Sequence, residues 1–326
     1  MIDLQLAPTP CDELLRRGPM RVLRYRASTP RLPVPVVLVP SIINRSYVFD
    51  LRPGQSLVEA LLGAGLDVVL VDWGVPAQAD ARLGLGDYAL GLLGRALDAA
   101  LAASGATKAH VLGYCLGGTF ALIHAARHPG RVASVVALTT PVDLADPGAM
   151  ERLVDPRLVD LDALARAYPV VPGPALWAAF QALDPTGNAR KARHLADEQD
   201  PERRARVLAQ ERWLADPVPM TARALQDIVG ALYRDNALAA GRLSLGGAPV
   251  DLKAGAAPVL NLVASGDTVV PPASSRALAR LWGGPVETVE VKAGHIGITV
   301  GSQAPRFMWK AATDWLVARQ EEVARG

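Results

Sequence analysis

Short runs rich in valine, isoleucine and leucine alternate along the chain with longer segments in which apolar residues return every three or four positions. Nearly continuous apolar runs suit strands covered on both faces, and amphipathic segments suit the helices that cover them. The order therefore predicts βα units around a mainly parallel sheet. Strands are expected at Val36 to Val39, Asp67 to Trp73, His110 to Gly113, Ser134 to Leu138, Pro258 to Ala264 and Val286 to Val291. Ser56 is placed to open a helix that runs through Leu57, Val58 and Leu61 and stops near Gly63 and Gly65. Asp87 is placed to cap another, whose Leu90, Leu93 and Leu97 recur at helical spacing.

The alternation lapses from about Asp143 to Gly247, where helical patterns follow one another with no convincing strand. This stretch reads as an inserted helical cap: residues 1–143 and 248–326 would form one core, and 144–247 the insertion. Inside it, Arg190 to Arg212 carries seven basic and five acidic side chains, the pattern of a solvated helical face. Proline and glycine around Tyr168 to Pro174 mark a turn.

Composition narrows the class. The 326 residues are 50% hydrophobic and 20% charged, with a mean hydropathy of +0.19, enough apolar surface for a sizeable core and too much for a disordered chain. A formal charge of +2, from 34 Lys and Arg against 32 Asp and Glu, provides no basic field for nucleic acid. Cys11 and Cys115 are too few for a disulfide framework or a four-thiolate zinc site, so a cytoplasmic, metal-free protein without a bound cofactor is expected. Met1 to Glu13 carries acids and prolines where an export signal needs a basic end and an apolar run. No apolar stretch reaches transmembrane length; the best, Val34 to Ile43, is broken by Pro35 and Pro40.

The strongest chemical signal is Gly113-Tyr114-Cys115-Leu116-Gly117-Gly118, between an expected strand at Ala109 to Leu112 and an expected helix at Thr119 to Arg127. It has the form of a nucleophile elbow, a sharp strand-to-helix turn whose central residue is strained and whose flanking positions must be small. The following helix points its free N–H groups at the turn and favours negative charge at Cys115. Such a nucleophile needs a base after the last strand and an orienting acid after the strand before it. His295, in Ala293-Gly294-His295-Ile296-Gly297, and Asp267, in Ser265-Gly266-Asp267-Thr268, occupy those places, beyond the carboxyl ends of their strands where ligands bind. Taken alone, each would read as a loop residue; the order nucleophile, acid, base raises them.

Acyl transfer also needs two donors for the oxyanion: the N–H of Leu116, and one from the loop Pro40 to Arg45, at Ile43 or Asn44. His124 and His128, four apart on one helix, lack a third ligand at suitable spacing and read as packing or surface residues. His110 and His194 carry no specific signal. Gly84 to Ala89 has dinucleotide-fingerprint letters but follows no strand, and reads as a loop and helix cap. Cysteine in place of serine is itself informative. Moving an acyl group from one thioester to another changes little free energy, so the acyl-enzyme stays activated for attack by an alcohol or by water. An acyltransferase to an alcohol and a cysteine-dependent hydrolase both fit; a silent scaffold would have no need of all three side chains.

Around these residues the sequence resembles the short catalytic subunit of class III polyhydroxyalkanoate synthases, from about Val36 to Leu316. Besides Gly113 to Gly118, the resemblance rests on Asn44-Arg45 with Asp50, Val71 to Pro76 followed by Gln78-Ala79-Asp80, Leu138 to Asp143, and Glu211-Arg212-Trp213. Further along it takes in Gly246-Gly247 with Val250-Asp251-Leu252, Val269 to Pro272, and Gly294 to Ile298. It implies an α/β-hydrolase fold with a cap and Cys115 as the acylated nucleophile. It also implies His295 as base, with Asp267 as its acidic partner or as activator of a substrate hydroxyl. Substrates would be 3-hydroxyacyl-coenzyme A thioesters, with coenzyme A released and polyester grown at cytoplasmic granule surfaces. A second, non-catalytic subunit is the partner implied, and a homodimer is left open by the sequence. Thr268 departs from the histidine that synthases usually carry after the acid, and Ala293 from a frequent second glycine.

Overall fold

A computed structural model describes residues 4–28, 31–183, 187, 193 and 195–324. Its centre is an eight-stranded sheet: β1 (Cys11–Arg17), β2 (Met20–Tyr25), β3 (Pro35–Val39), β4 (Asp67–Asp72), β5 (Ala109–Tyr114), β6 (Val132–Leu138), β7 (Val259–Ala264) and β8 (Val286–Val291). The spatial order is β1-β2-β4-β3-β5-β6-β7-β8. β1 pairs antiparallel with β2, and β2 antiparallel with β4; every other neighbour is parallel. Every residue of β3, β4, β5 and β7 is buried, as apolar runs sandwiched between helices must be. The main helices are α1 (Leu57–Gly63), α2 (Leu93–Ser104), α3 (Leu116–Arg127), α4 (Leu161–Ala167), α5 (Gly173–Gln181), α6 (Pro201–Leu214), α7 (Ala222–Asp227) and α8 (Lys310–Ala324).

Ser56 caps α1 by accepting from the Glu59 N–H. Asp87 acts differently from expectation. It sits inside a wide helical turn, Asp87–Leu92, that leads into α2, and its carboxylate accepts from the Gly84 N–H at 2.8 Å, so it closes the preceding loop. The β1–β2 hairpin was not anticipated. Its residues alternate poorly because a bulge between Glu13 and Leu15 resets the register, and β1 leaves four of its seven side chains exposed.

Between β6 and β7 the chain runs through helices, with two short ladders where no strand was expected: Val170–Val171 with Met220–Thr221, and Ser244–Leu245 with Ala248–Pro249. Tyr168 to Pro174 is more than a turn, since it contains the first of these ladders and the start of α5 behind Pro172. In α6, capped by Asp200, charged residues face outward while Ala205, Ala209 and Trp213 are buried, and Arg52 of the sheet domain pairs with Glu202 at 2.6 Å. Residues 190–192 and 194 of the charged stretch, including His194, lie outside the described residues. Near its end the segment returns to the sheet helices, where the carbonyls of Leu245 and Ala248 accept from Arg127 of α3.

Candidate active site

β5 ends at Tyr114 and α3 begins at Leu116, so one residue makes the turn. Cys115 has φ 55 and ψ −127, a region that costs a side-chain-bearing residue about 1–3 kcal/mol. Surrounding structure enforces it: the Cys115 N–H donates to the Leu138 carbonyl at 2.9 Å, and the Cys115 carbonyl accepts from Gly118 at 2.9 Å. A Cβ on Gly117 would run into the carbonyl oxygen of Val39, and one on Gly113 into the backbone of Gly118. Small residues at these positions let α3 descend onto the end of β3.

The loops after β7 and β8 are laced together. Ser265 donates to the Val291 carbonyl and Gly266 to that of Ala293, each at 2.9 Å. Asp267 Oδ1 accepts from the Val269 and Val270 N–H groups, both at 2.9 Å, while Oδ2 lies 2.6 Å from His295 Nδ1. The side chains of His295 and Asp267 are 11% and 1% exposed, and Cys115 lies within hydrogen-bonding reach of the imidazole. Burial alone would lower the pKa of His295. The opposing charge of Cys115, the Asp267 bond and the Cys115 bond outweigh it and push the imidazole up to about 10. The structure thus brings together the three side chains named from the sequence.

Leu116 contributes the first amide of α3, one of those a helix leaves without an internal acceptor. Across from it, the loop after β3 is pinned to the segment following α6. Val218 donates to the Ile43 carbonyl at 2.9 Å, Arg45 pairs with Asp216 at 3.2 Å, and Trp213 Nε1 donates to the Arg45 carbonyl at 2.8 Å. The Ile43 N–H lies 3.4 Å from Ser41 Oγ, an acceptor at the limit of reach.

Above Cys115 and His295 opens a cavity of about 770 Å³. Its wall is mainly apolar, with Leu161, Leu176, Phe180, Met220 and Val229 contributed by the segment between β6 and β7. Two tyrosines at the site were not singled out from the sequence. Tyr114 donates to the His295 carbonyl at 3.2 Å with its ring 5.3 Å from the imidazole, bracing the base from below. Tyr233, on the helical turn Ile228–Arg234, lines the cavity. Tyr114 is the middle letter between elbow glycine and cysteine and could have been noticed; Tyr233 has no spacing signal.

The other described histidines lie elsewhere. His110 Nδ1 is 2.7 Å from Ser134 Oγ, and His124 Nδ1 is 3.0 Å from the Ala89 carbonyl with its ring 4.7 Å from that of His128. Among the described residues, no group of three or more His, Cys, Asp or Glu could hold a metal ion, and no helix is long and apolar enough to cross a membrane.

A parallel sheet with a strained cysteine at the strand-to-helix turn and a buried His–Asp pair beyond the last two strands defines an α/β-hydrolase-fold protein, and residues 34–302 match the alpha/beta hydrolase fold family. Solved structures agree on the fold. A thermophilic esterase from Thermogutta terrifontis aligns with a TM-score of 0.58 at 18% identity, over 95% of this chain and 99% of its own. A monoacylglycerol lipase from Paleococcus ferrophilus aligns at 0.57 and 20%, over 91% and 99%. Residues 2–61 match the poly-beta-hydroxybutyrate polymerase (PhaC) N-terminus family. The poly(3-hydroxyalkanoate) polymerase subunit PhaC of Allochromatium vinosum is 36% identical over 88% of this chain and 81% of its own length. That of Synechocystis is 33% identical over 98% and 87%. That of Haloferax mediterranei is 31% identical over 98% of this chain, which spans 66% of the longer relative. The chain belongs to the poly(3-hydroxyalkanoate) polymerase family.

Proposed function

We propose that this chain is an acyltransferase that polymerises 3-hydroxyacyl-coenzyme A thioesters into polyester through a thioester on Cys115. The observation that carries the residue assignment is the Cys115, His295 and Asp267 constellation at the floor of an apolar cavity. In the first half-reaction the Cys115 sulfur attacks the thioester carbonyl. The carbonyl oxygen takes up charge facing the Leu116 and Ile43 amides, the bond to the coenzyme A sulfur breaks, and His295 returns a proton to the departing thiol. In the second, the 3-hydroxyl of an incoming substrate gives its proton to His295 and its oxygen attacks the acyl group on Cys115. An ester bond forms, the carbon–sulfur bond breaks, and the chain, now one unit longer and held on coenzyme A, is ready to reacylate Cys115.

Of the two roles open to Asp267, orienting the imidazole is the better supported. Oδ1 is occupied by two backbone amides, Oδ2 holds His295, and the Asp267 side chain is 1% exposed, so the imidazole is its main partner and a substrate hydroxyl would have little access to it. Residues 144–247 act in this reading as the cap whose apolar side chains exclude water. The chain needs no metal or bound cofactor for these steps. Relatives named as polymerase subunits support an assembly with a second subunit, and in this reading the assembly works at the surface of the polymer.

Purified protein incubated with 3-hydroxybutyryl-coenzyme A should release free thiol and develop turbidity together, alone or with a candidate partner subunit. Thiol release accompanied only by monomeric 3-hydroxybutyrate would reject polymerisation in favour of a cysteine thioesterase.

A further inference from the structure

Tyr233 stands out in the cavity because of what surrounds it. It sits on the turn Ile228–Arg234, whose neighbours Ile228 and Val229 are apolar cavity wall, as are Leu225 and Met220 before it. Among the described residues no hydrogen bond is made by its hydroxyl, although the same chain satisfies the indoles of Trp73, Trp213, Trp282 and Trp309 with backbone carbonyls. Burial first, and then the charges of Cys115 and Asp267, raise its pKa, so the phenol keeps its proton and remains a donor. Half-buried on a wall that offers few acceptors, the phenol is available to donate to a polar group that a bound ligand brings into the cavity.

Resting on the proposed acyl transfer, we infer that Tyr233 donates a hydrogen bond to the oxygen at C3 of the acyl chain and so selects 3-oxygenated acyl groups over plain fatty acyl groups. The geometry separates the two oxygens that a bound substrate offers. The thioester oxygen faces the amides of Leu116 and Ile43 in the reading above, whereas Tyr233 reaches the same cavity from a separate element, the turn Ile228–Arg234. The same contact serves both stages, because the C3 oxygen is a hydroxyl in the monomer and an ester oxygen in the growing chain, and either accepts. A site built to bond a substrate oxygen discriminates against the analogue that lacks it, since the protein group is then left unpaired.

The test measures single-turnover release of coenzyme A on acylation of Cys115, using 3-hydroxybutyryl- and butyryl-coenzyme A, for the unaltered protein and for Tyr233→Phe. The unaltered protein should be acylated about tenfold more efficiently, in kcat/KM, by the 3-hydroxy substrate. Tyr233→Phe should lose that factor with 3-hydroxybutyryl-coenzyme A, leave butyryl-coenzyme A unchanged, and alkylate with iodoacetamide at the unaltered rate. Equal acylation by both thioesters in the unaltered protein overturns the inference even if the variant does not fold, as does an equal loss on both substrates in a folded variant. Failure of the underlying acyl transfer is distinguishable, because then neither thioester would release coenzyme A from the unaltered protein.

Discussion

Replacing Asp267 by Asn separates the two half-reactions. The carboxylate holds three bonds, two from backbone amides at 2.9 Å to Oδ1 and one at 2.6 Å to His295 Nδ1. An amide is isosteric, and its oxygen will stay on Val269 and Val270, where two donors need an acceptor. Its NH2 then faces His295 Nδ1, which must become an acceptor, so the proton of the neutral ring moves to Nε2, the atom that has to take a proton from the attacking alcohol. Loss of one hydrogen bond to a charged group costs about 1.5–3 kcal/mol, or about 10- to 160-fold in rate. Acylation should fall within that range, because a thioester has a good leaving group and asks least of the base. Elongation must deprotonate an alcohol and meets the wrong tautomer as well, so it should fall at least about tenfold further. The two are read separately, by the burst of coenzyme A in a single turnover and by steady-state polymer formation. Equal losses in both, or an elongation rate that survives better than acylation, would refute the assignment of Asp267 to the imidazole.

Three further outcomes follow from the geometry. Gly117→Ala places a methyl against the Val39 carbonyl and should cost about 2–3 kcal/mol or more in urea unfolding, whereas Gly91→Ala, with open space around it in a helical turn, should be neutral or stabilising by about 0.5–1 kcal/mol. Because the folded-state pKa of His295 is raised, its stabilisation is fully present below about 6.5 and is lost as pH rises towards about 10. The difference in urea midpoint between the unaltered protein and His295→Gln should therefore shrink over that window, and growth of the gap would mean that the imidazole enters the fold neutral. Asn236, at φ 45, accepts from Leu144 N–H and donates to Asp143 at the start of the cap segment. Asn236→Ala loses both bonds and meets left-handed strain, whereas Asn236→Gly loses only the bonds, so alanine should be less stable than glycine by about 1 kcal/mol in the same assay.

Four of the six expected strands, β3, β4, β5 and β7, are buried throughout, and they and the elbow were legible because their requirements are local. Fully buried strands must be apolar on both faces, and a backbone that passes within contact distance of Val39 admits only glycine at position 117. Asp267 and His295 could be placed because a strand end fixes where a following residue emerges. The β1–β2 hairpin was not legible, since its outward face is charged and the bulge after Glu13 breaks the period that would have marked it. Asp87 was given the wrong partner because an acid at a helix start can serve the turn before it as readily as the helix after it. Tyr233 was hidden for another reason: a tyrosine in a helical segment among apolar residues reads as core, and only packing across the chain brings it into the cavity that Cys115 lines.

The esterase and lipase folds share this sheet, so the difference between transferring an acyl group to an alcohol and to water has to lie above it. The segment between β6 and β7 closes on the elbow from two sides. On one, Val218 is bonded to Ile43 and Asp216 to Arg45 and Tyr47; on the other, Ala149 donates to the Thr268 carbonyl, one residue beyond the acid. Both ties reach loops that carry groups of the proposed acyl-transfer site, so moving this segment would disturb the Ile43 amide and the Asp267 loop together. A cavity of about 770 Å³ with a mainly apolar wall lies well within the size range of drug-sized ligand sites and exceeds what a four-carbon acyl group fills. The remaining volume is better occupied by further units of an apolar polyester than by water, which would find few partners on that wall. An occupied cavity in turn leaves the next hydroxyl, delivered on its own substrate, as the nucleophile closest to Cys115. Polymer growth would then suppress hydrolysis by filling the space that hydrolysis needs.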